Sequence, residues 1–493
     1  MTGGVVAAGH PVSADAGAQV LRAGGNAVDA AIAAMLASWT AEPLLTGPGA
    51  GGYLLVAGPG VEPTLLDFFV GAPGLGPEAH AAQAALIPVS VSFGDAVQIF
   101  HVGPASCGPY GNPAGIVEAS RRWGTVPLDQ LTAPAARLAR EGVVLNEPQA
   151  YVFEILAGIL LSTPEARAVF APGGRPLRAG ERFRFGEMGD AIDRLGAEGA
   201  DPFYRGDLAD AVVSWLDARG GVLTPTDLTT YEAVPRAPAR VAYRGREVLT
   251  NPPPSAGGIL LAYSLGLLDR APSPPPLTAV VDAMDAAQTA RTDAFVDGLD
   301  EPGFLDTFLA MRLGSTTHIS VLDGEGLACA VTCTNGEGAG VVVPGTGIHV
   351  NNIMGEEDLS PMGFHTAPPG RRMPSMMAPT VVTRGDPHDV EAVLGSAGSN
   401  RIRSALLQTI VGIVDHGLDA QDAVDAPRAH FESGVVYAEP GVPVDLLERA
   451  GRAVAPFRSR NLFFGGVQAI RRTPGGALSG GGDPRRGGAV AIA

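Results

Sequence analysis

The sequence predicts a mixed α/β (α+β) fold built in layers. Three observations predict it: helical periodicity dominates the chain before residue 312, strand-like alternation dominates it beyond residue 316, and 46% of the 493 residues are hydrophobic. A chain of that length buries a large core, either as two or more domains or as one large layered unit. With 17% charged residues, 67 Gly and 42 Pro, it reads as a compact, loop-rich enzyme.

Taken in order, Ala14–Ala23 reads as a helix stopped by Gly24-Gly25, and Asn26 then caps a second helix. Val28, Ile32, Met35, Leu36 and Trp39 recur along that second helix at core-stripe spacing. The glycines of 47–52 enter the strand-like run Tyr53–Val56 instead of opening a helix, and no Lys-Ser/Thr ending follows, which argues against a phosphate cradle. Residues 71–115, rich in Gly, Pro and Ala, are expected to cross the surface as a long connection. Helices are predicted at Leu131–Glu141, Asp207–Arg219 and Ile259–Leu268, the last after a rigid turn at 251–258. Polar helical sequence then runs to about Arg312. Strands follow at Ile319–Leu322, Ala328–Thr334, Val341–Val343, Thr380–Thr383 and Val390–Leu394, with one helix at Ile402–His416.

The formal charge is −17, and all 34 basic residues are arginines. Such a field repels nucleic acid and anionic membrane, so neither is an expected partner. No run reaches transmembrane length and no secretory signal is visible, so a cytoplasmic location is expected. Cys107, Cys329 and Cys333 have neither disulfide nor metal-ligand spacing, and His101, His318 and His430 read as structural. No cofactor or metal is expected.

The informative junction is Ser315-Thr316-Thr317-His318. A threonine hydroxyl is a poor nucleophile unless a base adjoins it, and its own α-amine, with a pKa of roughly 7.7–8, is a compact solution. An internal threonine has no such amine. The chain would therefore break before Thr316, by attack of that hydroxyl on the Ser315 carbonyl, an N-to-O acyl shift and hydrolysis of the ester.

Several motifs agree with one family in order and spacing. They are Gly24–Ala31, Glu42-Pro43 with the loop to Gly52, Asp67-Phe68 with Ala72-Pro73, Phe203–Gly206, Gly220–Leu223 with Asp227-Leu228, and the Pro252–Gly258 turn. Beyond them stand Thr316-Thr317-His318, Pro344–Gly347, Asn351-Asn352, Ala378–Thr380 and Gly395-Ser396. Over nearly its whole length the chain resembles the γ-glutamyltransferases (γ-glutamyltranspeptidases), a branch of the N-terminal nucleophile hydrolases. The resemblance implies a four-layer αββα fold, self-cleavage into a large piece (1–315) and a small catalytic piece (316–493) that stay together as a heterodimer, and acyl transfer to or from a small-molecule substrate. It implies Thr316 as nucleophile, Thr334 as its orienting partner, and backbone N–H groups at Gly398 and Ser399 as the oxyanion hole, with Ser399 replacing a family glycine.

The implied substrate pocket departs from the family's pattern. Phe69 stands where the family has an arginine that clamps a glutamyl α-carboxylate, and a phenyl ring cannot imitate that bidentate pair. Gly336 replaces a polar side chain, Ile353 a Gln or Glu, and Gly355-Glu356 an Asp-Asp pair. Met376 replaces the second of two serines beside the retained Ser375, and Glu356 remains a candidate for binding an amine. These changes predict a flatter, less charged or aromatic substrate, unless Arg371 or Arg401 reaches the vacated position. Family relatives of actinobacterial 4-alkylproline antibiotic pathways are associated with carbon–carbon bond hydrolysis, and the arginine-poor pocket looks similar to theirs. The other readings are a conventional γ-glutamyl hydrolase or transpeptidase, a cephalosporin-acylase-like amidase, and an uncleaved scaffold.

Overall fold

The computed structural model describes residues 3–81, 85–92, 97–289, 316–359 and 363–493. Two antiparallel sheets face each other. The first contains β1 (Val5–Ala8), β2 (Gly51–Ala57), β3 (Thr64–Phe68), β4 (Val234–Arg236), β7 (Thr317–Leu322), β8 (Ala328–Thr334) and β13 (Ala489–Ile492), in the order β13-β1-β7-β8-β2-β3-β4. The second contains β5 (Ala239–Tyr243), β6 (Arg246–Thr250), β9 (Thr380–Thr383), β10 (Val390–Ala397), β11 (Gly466–Arg472) and β12 (Leu478–Gly482), in the order β12-β11-β10-β9-β6-β5. Strands β7 and β8 pack on β10 across the interface.

Helices cover both outer faces and complete the four-layer αββα stack. On the first sheet lie α1 (Pro11–Arg22), α2 (Ala27–Ala41) and α3 (Asn112–Trp123), with α4 (Leu128–Glu141) packed outside on α2. On the second lie α5 (Ala256–Leu268), with α6 (Leu277–Thr289) packed against it, and then α7 (Arg401–Val414) and α8 (Ala420–Asp425). Every residue of α2 is buried, which its run of alanines allows by letting α1 and the sheet approach closely. Its start is a capping box, with Asn26 accepting from Val28 and Asp29 while Asp29 accepts from the Asn26 N–H.

The expectation of a surface connection over 71–115 is corrected. Ile87–Ser92 and Val97–Val102 pair as an antiparallel hairpin, and Val91, Phe100, Val102, Cys107 and Tyr110 are buried in the first core. Alternating apolar residues within Gly- and Pro-rich sequence carried that signal. The sequence reading also passed over β11, β12 and β13. Glycine makes β12 possible: a Cβ at Gly480 would lie 2.4 Å from Val490 Cγ1 and 2.9 Å from Val5 Cγ1. Among the described residues, no helix is long and apolar enough to cross a membrane.

Candidate active site

Strand register assembles the site. His318, Thr332, Tyr53 and Asp67 are aligned in one row across β7, β8, β2 and β3. Thr334 pairs with Gly51, and continuing the same registers by one residue completes the next row on that face as Thr316, Thr334, Gly51 and Phe69. This face looks into the gap between the sheets. A Cβ at Gly395 of β10 would strike the His318 ring at 2.2 Å, and the Ser320 hydroxyl donates to the Gln468 carbonyl of β11 at 3.1 Å. Alternation along the strand sends Thr317 to the opposite face, toward α2. Thr316, fully buried, therefore stands beside Thr334 at about one inter-strand spacing of 4.8 Å. The Thr334 hydroxyl accepts from the Gly336 N–H at 2.8 Å, and a hydroxyl that accepts retains a proton to donate. Ser315 lies outside the described residues.

At the end of β10 the backbone turns sharply. Gly398 has φ +114° and Ser399 φ +66°, and the Arg401 and Ile402 N–H groups return to the carbonyls of Gly398 and Ser399 at 3.1 and 3.0 Å. Gly398 admits no side chain, since a Cβ there would lie 2.7 Å from Gly465 Cα and 3.3 Å from Arg486 Nη2. Arg486 also lies within electrostatic reach of Glu42, whose Oε1 accepts from the Thr317 hydroxyl at 2.9 Å. That shared neighbour places the Gly398 turn and Thr316 at the same end of the sheet pair. Burial pushes the Glu42 carboxyl up to about 7, opposed by the Thr317 hydrogen bond and Arg486. Burial and the nearby Arg401 bring Arg486 down to about 10.

Phe69 is buried and stacked on Tyr53, with centroids 5.6 Å apart, and shares a hydrophobic cluster with Ile353, Met354, Met373 and Met377. Gly336 has no room for a side chain, because a Cβ would sit 2.1 Å from Asn352 Oδ1 and 2.6 Å from Glu356 Oε1. Glu356, itself buried, thus fills the space next to the lost polar side chain. Ser375 is tied to the start of α5, its carbonyl accepting from the Ala256 N–H at 2.8 Å and the Ser255 hydroxyl at 2.9 Å. Met376 packs with Ala256, Ile259 and Leu260 in a cluster separate from that of Phe69.

Arg401 is placed differently from the alternative reading. Arg401 donates to the Phe463 carbonyl at 2.9 Å and lies 4.7 Å over that residue's ring. It is Arg372, which the sequence reading passed over, that adjoins Phe69: its Nη1 donates to the Phe69 carbonyl at 2.7 Å, and its guanidinium lies 4.3 Å over Tyr231. Glu42 and Arg486 were also missed as site residues, although Glu42 lies inside a quoted motif. Nothing local in the sequence announces that a helix-terminal glutamate meets a strand threonine 275 positions away.

The His318 ring is buried between the Thr332 and Ser320 hydroxyls at 2.7 and 3.0 Å, and burial lowers its pKa to about 3. Cys329 and Cys333 are buried on the α2 side of β8, as period-2 alternation predicts. Among the described residues no group of three or more His, Cys, Asp or Glu side chains could hold a metal.

Comparison with known proteins identifies the family. The γ-glutamyltranspeptidase family model matches residues 13–302 and 306–493. The acylase ACY 1 proenzyme of Pseudomonas sp. (strain SE83) is 31% identical, covering 97% of this chain and 91% of the relative. The glutathione hydrolase proenzyme of Escherichia coli (strain K12) is 29% identical over 98% of this chain and 90% of its own. Among solved structures, cephalosporin acylase from Bacillus halodurans superposes with a TM-score of 0.80 at 27% identity, covering 99% of this chain and 96% of that one. The chain belongs to the γ-glutamyltranspeptidase family of N-terminal nucleophile enzymes, whose members are hydrolases and transferases.

Proposed function

We propose that the chain cleaves itself before Thr316 and then hydrolyses or transfers an apolar, non-glutamyl acyl group through an ester on Thr316. Phe69 carries the substrate reading. It occupies the nucleophile's own row, three strands away, and is stacked on Tyr53 in a cluster with Ile353. A charged α-carboxylate set there would face an apolar wall and forgo its bidentate partner. The new α-amine of Thr316 serves as base, the Thr334 hydroxyl orients the nucleophile, and the backbone N–H groups of Gly398 and Ser399 receive the oxyanion. Glu356, buried beside Gly336, is the candidate to bind a substrate amine. The acylase relative supports amide cleavage as the default reaction. Carbon–carbon hydrolysis in a 4-alkylproline pathway would use the same nucleophile, with the leaving group protonated at carbon instead of nitrogen.

Intact mass of the purified chain should show two fragments meeting at Ser315/Thr316. A full-length species that persists on incubation sinks the nucleophile assignment. Turnover of p-nitroanilides carrying arylacetyl or alkanoyl groups should exceed that of γ-glutamyl-p-nitroanilide by about tenfold or more, a difference of about 1.4 kcal/mol in transition-state binding. The reverse order refutes the apolar pocket, whereas Phe69→Arg should raise γ-glutamyl turnover.

A further inference from the structure

A buried carboxyl behind the nucleophile has no part in the chemistry above. Glu42 follows α2, its N–H returning to the Ser38 carbonyl at 2.7 Å, so its side chain is aimed by a rigid helix end. Its Oε1 accepts from the Thr317 hydroxyl at 2.9 Å, while its Oε2, also buried, has no hydrogen-bond partner among the described residues. Gly9 leaves the space for this pair, since a Cβ there would lie 2.2 Å from Glu42 Oε1 and 3.0 Å from Thr317 Oγ1. A carboxyl with one unpartnered buried oxygen is an expensive structural device, which a hydrophobic residue would replace at lower cost.

Resting on the reading of Thr316 as nucleophile, we propose that Glu42 is a positioning residue that fixes Thr316 for chain cleavage by gripping the adjacent Thr317 hydroxyl, more tightly when ionised. Thr317 is one residue along from Thr316, so holding its side chain on the α2 face fixes the backbone that presents the Thr316 hydroxyl to the other face. A displacement of about 1 Å at a reacting atom can lower a rate roughly a hundredfold. An ionised acceptor makes the stronger, charge-assisted bond.

Around Glu42, the His10, Cys333 and Arg486 side chains each keep one charge state near neutrality. From the β1 side, His10, next to Gly9, is held by burial at about 4 and is neutral there. On β8, burial pushes the Cys333 thiol up to about 12, so it stays protonated. Arg486, at about 10, stays charged, and it faces Glu337 as well as Glu42. Glu42 titrates at about 7. Its sign follows: protonated Glu42 prevails below that pH and holds Thr317 weakly, so cleavage should accelerate as pH rises through about 7. Cleavage happens while the Thr316 nitrogen is still an amide, so the nucleophile's own amine cannot supply that inflection.

The test follows cleavage by intact mass in full-length precursor made by cell-free synthesis and shifted into buffers from about pH 5.5 to 8.5, a window spanning the titration. Wild type should show the inflection. Glu42→Gln, which keeps an acceptor for Thr317 but cannot ionise, should cleave at a pH-independent rate. Glu42→Ala and Thr317→Val should each slow cleavage about tenfold or more while keeping the native circular dichroism spectrum, and Thr317→Ser should restore the wild-type profile. An unchanged inflection in Glu42→Gln, or wild-type rates in Glu42→Ala, overturns this inference alone. A wild-type chain that never cleaves overturns it together with the nucleophile assignment.

Discussion

Ser399 holds a backbone conformation that glycine enters freely and serine does not, φ +66°, on the turn that carries the candidate oxyanion donors. A left-handed residue with a Cβ costs about 1–2 kcal/mol, and glycine's extra freedom in the unfolded chain offsets about 0.5–1 kcal/mol of the relief on removing it. Ser399→Gly should therefore stabilise the protein by about 0.5–1 kcal/mol in urea unfolding, with kcat changed little because the N–H donor remains. Ser399→Val should destabilise it, since branching at Cβ crowds the same conformation. A destabilised Ser399→Gly would mean that the serine side chain contributes more than its backbone strain takes away. This position was legible in the sequence as a departure from the family's glycine pair, and so was Phe69 as a departure from arginine. Arg372 and Glu42 were not, because their importance lies in contacts between segments far apart in the chain, the Phe69 carbonyl for one and the Thr317 hydroxyl for the other.

At the scale of elements, α2 shows why some segments declare themselves. Asn26 and Asp29 form a capping box that is written in four consecutive residues, of which the sequence reading takes Asn26 as the cap. Its tertiary half is invisible to local pattern: the Asp29 carboxylate also accepts from the Thr125 N–H at 3.0 Å, the Thr125 hydroxyl at 2.6 Å and the Val126 N–H at 3.2 Å. Asn26→Ala removes one cap and should cost about 1 kcal/mol. Asp29→Ala strands several buried donors and should cost about 3 kcal/mol or more, so its urea midpoint should fall well below that of Asn26→Ala. Equal midpoints would show that the Thr125–Val126 turn contributes nothing to the helix. The same limit explains the missed strands, since Leu478–Gly482 ends in three glycines whose place in a sheet is decided by how closely Val5 and Val490 approach.

For the whole molecule, the position of the proposed cleavage decides what the two pieces can do. Residues before it supply β1 to β6, and residues after it supply β7 to β13. In the first sheet β7 and β8 of the later piece lie between β1 and β2 of the earlier one, while β1 in turn lies between β7 and β13. The second sheet is divided only between β9 and β6. Separating the pieces would break the β13-β1, β1-β7 and β8-β2 pairings as well as β9-β6, and it would expose the core between the sheets to water. Cleavage should therefore leave the fold intact: the processed protein should run near 50.2 kDa by native mass spectrometry, or at a multiple of that mass, and resolve into two fragments only in denaturant. Residues 1–315 produced alone should remain unfolded, because β1 would lose both its neighbours and β2 one of its two. Fragments that separate under native conditions would contradict the interleaved sheet. The arrangement also suits the proposed cleavage, because a cut placed immediately before a central strand would free an amine at Thr316 without releasing the strand that aims it.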